Sequence, residues 1–126
     1  MHDVKIIDDE AVLFENGIEK MNLEPLRKDG EIQYDFPDGS CVNIYSNNTI
    51  AWYDSNDNWH RDGDMPAYIT TCGYVAYCKH YKPHREFGPA IIWEDGKEEY
   101  WLDDIEYTNE EFINKLNSNY GGVYHA

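Results

Sequence analysis

The sequence predicts a mainly β chain: an antiparallel meander of β-hairpins in ~24-residue repeats, closed by one short C-terminal helix. Three observations carry this. Tyr53, Tyr77 and Trp101 recur at intervals of 24 residues, with Trp52, Ala76 and Tyr100 one place ahead of them. His60-Arg61 and His84-Arg85 follow the aromatic residue at a fixed distance, and each leads through a turn to Pro-Ala, at Pro66-Ala67 and Pro89-Ala90. Short runs of β-branched and aromatic residues alternate with turn compositions along most of the chain.

Near the start, VKII and AVLF read as strands, and Asn16-Gly17 as a tight turn into IEKM. Pro25 and Lys28-Asp29-Gly30 then punctuate the join to the repeats. The division expected is an N-terminal appendage over residues 1–30, packing on the sheet, and a repeat domain over 31–126. EIQYDF alternates Ile32, Tyr34 and Phe36 on one face, and Pro37-Asp38-Gly39-Ser40 turns it into CVNIY. TIAWY and GYVAY are strands of the repeats, with DSND and HYKP as their turns. Pro66 and Pro89 lack an N–H, so each opens a strand rather than sitting inside one. Cys72-Gly73 and Asp95-Gly96 turn the chain between units. In the third unit Thr108-Asn109 stands where His-Arg stood, and Thr108 with Glu111 forms a capping box. Phe112, Ile113 and Leu116 give the helix that follows, over 109–117, one apolar stripe to cover the last strands.

Composition narrows the function. With 126 residues the chain suits one domain. Ten Lys and Arg against 25 Asp and Glu give a net charge of −15, which repels nucleic acid and anionic membrane surfaces. The charge is uneven: residues 1–24 carry −5 and residues 94–111 carry −8, while 25–93 carry only −3. No apolar run approaches the ~18 residues of a membrane span, and the start lacks the pattern of a signal peptide. Three cysteines, an odd number, suit free thiols in a reducing compartment, so a cytoplasmic protein is expected.

WYDSNDNWHRDGDMPAYI and YKPHREFGPAII resemble the repeat of viral, especially tailed-phage, proteins whose unit runs W-Y-x-N-G-x-x-H-R-x-D-G-P-A. YWLDDIEYTNEEF resembles that family's usual close. The resemblance covers residues 49–116, with an insertion at Asp62 to Met65 and Asp103-Asp104 in place of a final Asn-Gly. It implies a MORN-like β-hairpin scaffold and no common activity. Many small acidic phage proteins act as inhibitors or adaptors of host machinery, so binding to a host or defence effector is the expectation.

Chemical motifs are sparse. Cys72, Cys78, His80 and His84 have ligand types, but their spacing matches no closed zinc site and there is no CxxC. Pairing His60 or His84 with Cys41 as base and nucleophile has no motif behind it. The expectation is no enzyme, no cofactor and no metal. Tyr53, His60, Arg61, Pro66, Tyr77, His84, Arg85 and Pro89 read as architectural parts of the repeat, with Tyr53, Tyr77 and Trp101 in equivalent places. Glu98, Glu99, Tyr100, Trp101, Asp103, Asp104, Glu106 and Tyr107 read as a partner-binding surface, where acid and aromatic area coincide. The function expected is non-enzymatic binding of a protein with a basic surface, as an inhibitor or modulator. The alternative is a nucleic-acid mimic, or an immunity-type inhibitor, that blocks the basic groove of a nuclease or DNA-binding protein.

Overall fold

The computed structural model describes residues 2–7, 10–19, 26–28 and 30–119. The chain is mainly β. β1 (His2–Ile7), β2 (Glu10–Glu15) and β3 (Ile18–Glu19) form a small antiparallel sheet of their own. β4 (Leu26–Lys28), β5 (Glu31–Asp35), β6 (Cys41–Ile44), β7 (Ile50–Tyr53), β8 (Tyr68–Ile69) and β9 (Val75–Ala76) then pair in chain order. The ribbon β10 (Cys78–Lys79) and β11 (Lys82–Pro83) leaves the sheet, which resumes with β12 (Ile91–Ile92), β13 (Glu98–Leu102) and β14 (Ile105–Tyr107). The result is a nine-stranded antiparallel meander, followed by α1 (Asn109–Asn119). β4 belongs to this sheet by pairing with β5, so the main sheet begins before the expected boundary at residue 30. The expected turn at Pro25 lies outside the described residues.

Two hairpin turn types account for most of the connections. Asn16-Gly17, His80-Tyr81 and Asp103-Asp104 are two-residue turns with both φ angles positive, the form whose twist matches paired strands. Five other turns close through a three-residue loop ending in a left-handed residue: Gly39, Asn48, Asp57, Gly73 or Gly96. In three of them the residue before it, Asp38, Asn47 or Asp95, accepts the N–H two places on through its side chain.

Loop length corrects the expected repeat register. The first unit turns through a longer loop closed by Asp54 N–H to the Asn58 carbonyl, so Tyr53 bridges Trp59. The second and third units turn through two residues, so Cys78 pairs with Pro83 and Trp101 with Glu106. Counted from the turns, Tyr53, Cys78 and Trp101 are equivalent, as are Trp52, Tyr77 and Tyr100. Tyr77 is therefore one place out of line with Tyr53 and Trp101, and it lies between strands rather than within one. One residue lost from the loop shifts the aromatic to the other face.

The ladder of partners sorts side chains onto two faces. One face carries Ile32, Tyr34, Val42, Ile44, Ile50 and Trp52, and Val4 and Leu13 of the small sheet pack over it as a core. Further along, Leu102, Tyr100 and Tyr107 are covered by Phe112 and Leu116 of α1. The capping box forms as expected: Thr108 N–H donates to Glu111 Oε1 at 2.9 Å and Glu111 N–H to Thr108 Oγ1 at 3.2 Å. Phe112 is fully buried at 0% exposure. Phe112→Ala should cost about 3–5 kcal/mol of unfolding free energy, measured by denaturant titration.

Candidate functional site: an aromatic sheet face with an acidic end

Each His-Arg pair ties its unit to neighbouring segments. The Arg61 guanidinium lies 4.0 Å over the Trp52 ring and donates to the Pro66 carbonyl at 3.3 Å. Its other end donates to the His2 carbonyl at 2.8 Å and to Asp3 Oδ1 at 3.3 Å, which holds β1 onto the large sheet. Arg85 repeats the pattern 3.9 Å over Tyr77, donating to the Pro89 carbonyl and, as a fork, to Asp64 at 2.7 and 3.1 Å. Asp64 comes from the insertion at Asp62 to Met65, so the departure from the repeat pattern supplies the carboxylate for the next unit. Gly88 leaves room for this: a Cβ there would sit 3.1 Å from Arg85 Nη1.

The histidines cap turns. His60 Nδ1 accepts the His80 N–H at 3.0 Å, and His84 Nδ1 accepts the Asp103 N–H at 2.9 Å. Both therefore carry their proton on Nε2, which faces Asp62 in one case and Glu86 in the other. His80 stacks on His60 with ring centroids 4.0 Å apart and donates through Nδ1 to Asp54 Oδ2 at 2.7 Å. Asp54 also accepts the N–H groups of Asn56 and Asn58 at 2.9 Å each. Burial pushes the Asp54 carboxyl up, and the donors from His80, Asn58 and Asn56 more than offset that, holding it at about 2.

The second sheet face is aromatic. Alternation places Tyr45, Tyr53, Trp59, Tyr68, Tyr74, Trp93 and Trp101 on it. Trp59 stacks on Tyr68 at 4.4 Å, Tyr74 meets Tyr68 at 5.9 Å and Trp93 at 5.0 Å, and Tyr81 reaches Trp59 from its turn. The hydroxyls of Tyr45 and Tyr53 meet at 2.9 Å, and burial with that contact pushes Tyr53 up to about 12. Ala67, Ala76, Cys78 and Ile91 form the small core beneath the rings. Three depressions of about 370, 480 and 520 Å³ cross the face, near Tyr45, beside Tyr74 and at Trp93. At the far end Glu99 is held between two indoles: Trp93 Nε1–H donates to one oxygen at 2.5 Å and Trp101 Nε1–H to the other at 2.8 Å.

The expected binding residues divide between the faces. Glu99, Trp101 and Glu106 lie on the aromatic face. Glu98, Tyr100 and Tyr107 lie on the other, where Tyr100 packs on Phe112 with centroids 5.0 Å apart and Tyr107 packs against the same core. Asp103 and Asp104 occupy the exposed turn capped by His84. Sequence reading did not single out Trp59, Tyr68 or Trp93, although strand alternation from Tyr53 and Trp101 leads to them. Among the described residues no group of three or more His, Cys, Asp or Glu is placed to hold a metal. Cys72 is exposed at a turn, whereas Cys78 is buried and burial pushes its thiol up to about 11. Both ring nitrogens of His60 and of His84 are engaged with groups other than Cys41. No described helix is long and apolar enough to cross a membrane. No family model matches the chain, and no curated protein or solved structure is significantly similar to it.

Two outcomes follow from this geometry. Arg61→Lys keeps the charge but loses the guanidinium over Trp52 and its hydrogen bonds to three neighbouring residues, so unfolding free energy should drop by about 1–3 kcal/mol in thermal or urea melts. Asp54 has a folded pKa below its ordinary 3.8, so its contribution is complete above that pH and is lost as pH falls toward about 2. Asp54→Asn should therefore lower stability at neutral pH and flatten its decline between those two values, as read from acid unfolding curves.

Proposed function

We propose that the chain is a non-enzymatic protein-interaction module that docks a partner on the aromatic face of its large sheet. The observation that carries this is the asymmetry of the two faces. One is largely covered by the small sheet, the arginines over Trp52 and Tyr77, and α1, while the other presents seven rings that are all at least partly accessible. Aromatic side chains bring large contact area at low entropic cost and dominate binding hot spots. The net charge of −15, and the acids Glu94, Asp95, Glu99 and Glu106 at one end of the face, suit a partner with a basic surface. Resemblance to phage repeats favours a cytoplasmic inhibitor or modulator of a host effector.

The test uses the partner recovered on the immobilised chain and then purified. Trp93→Ala should weaken binding by about 10- to 100-fold, mostly through faster dissociation, as measured by surface plasmon resonance. Phe87→Ala, an exposed ring beside Arg85 on the covered side, should leave it unchanged. Raising salt should slow association while changing affinity only modestly. Binding that collapses with salt and ignores Trp93→Ala would instead identify a nucleic-acid mimic and overturn this reading.

A further inference from the structure

Twice within the chain an aromatic ring and a carboxylate together hold a guanidinium. Trp52 and Asp3 hold Arg61, and Tyr77 and Asp64 hold Arg85, with the cation 4.0 and 3.9 Å above the ring. The same two ingredients meet a third time on the aromatic face, at Trp93, Trp101 and Glu99. Here the carboxylate is already oriented, because each oxygen accepts one indole N–H. Each oxygen keeps a further lone pair for a second donor. Trp93 is 41% exposed, and with Glu94, Asp95 and Glu99 it lines the depression of about 520 Å³. Lys97 borders the same depression, yet among the described residues Glu99 enters no ion pair.

This place is not the structural equivalent of the two filled ones. The equivalent ring in the third unit is Tyr100, on the opposite face, and Phe112 covers it. The chemistry is nevertheless the same, with the ring and the anion present and the cation missing.

We infer that the Trp93–Glu99–Trp101 cluster receives an arginine side chain of the partner protein. The inference rests on the docking reading above and names the chemistry at one end of that surface. A guanidinium stacked on Trp93 would fork onto the free lone pairs of Glu99, with Glu94 and Asp95 raising the local negative potential. Lysine has a point charge and no planar fork, so it fits this geometry less well. Indole donors also keep Glu99 from turning away, which lowers the cost of ordering it on binding.

The probe is a nine-residue peptide alternating glycine and arginine, compared with its lysine and citrulline counterparts. Indole N–H resonances of the folded chain report the site by NMR. The arginine peptide should shift Trp93 and Trp101 saturably and leave Trp52, which lies under Arg61, unmoved. The lysine peptide should bind at least about 3-fold more weakly, and neutral citrulline should give no saturable shift. Glu99→Gln should weaken the arginine peptide at least about 10-fold. Glu98→Gln removes the same charge from the opposite face and should change affinity less than 2-fold. Equal binding of the lysine or citrulline peptide, or equal loss in both variants, overturns the arginine site. Shifts confined to Trp59 would overturn it as well, while leaving the docking face in place.

Discussion

The guanidinium stack of each His-Arg pair is the interaction on which the rest of the structure depends. The meander has a strand at every step but little depth, and β8, β9 and β12 are only two residues long. Strands so short supply few ladder bonds and little apolar area. Arg61 and Arg85 compensate by placing a guanidinium over an aromatic ring and by donating to proline carbonyls at the strand openings. Each then reaches outside its unit for a carboxylate. Arg61 finds Asp3 on β1, and Arg85 finds Asp64 in the insertion of the preceding unit. Charged groups supplement apolar depth as the link between units, and each guanidinium does so through several hydrogen bonds at once.

The histidine beside each arginine extends the link forward. A turn with two left-handed residues is costly for anything other than glycine or asparagine, and His80-Tyr81 and Asp103-Asp104 contain neither. The imidazole of the preceding unit accepts the first N–H of that turn and so pins its left-handed backbone. One His-Arg dipeptide thus serves its own ring, the strand opening that follows it and the turn beyond. The third unit lacks the dipeptide, and α1 with its capping box covers the last ring in its place.

Closing one face in this way leaves the other free for aromatic residues. Rings on that side meet in a row from Trp59 through Tyr68 and Tyr74 to Trp93, first stacked, then edge-on and tilted. Such a row makes a broad and shallow aromatic surface. Acidic residues gather where the row ends, so charge and aromatic area share one surface.

Local information sufficed for much of this. Turn residues such as Asn16-Gly17, Asp38-Gly39 and Asp95-Gly96, the β-branched and aromatic runs between them, and the capping box at Thr108 determined a hairpin meander with a terminal helix. Their signals act within a few residues, so the sequence holds them in full. The recurrence of His-Arg and Pro-Ala likewise marked the architectural residues, because a repeat writes its contacts into its period. The partners of those residues were decided elsewhere. Asp3 lies 58 residues from Arg61, and no spacing announces that pair. Nor could the 24-residue period reveal that a shorter turn moves Tyr77 to the other face from Tyr53, since register is set by ladder pairing and not by counting. Strand alternation separates Glu99 and Trp101 from Glu98 and Tyr100, but only the tertiary structure decided which side is covered, sending Tyr100 and Tyr107 under α1 and leaving Glu99 between two indoles, because burial on a sheet depends on what happens to cover each face.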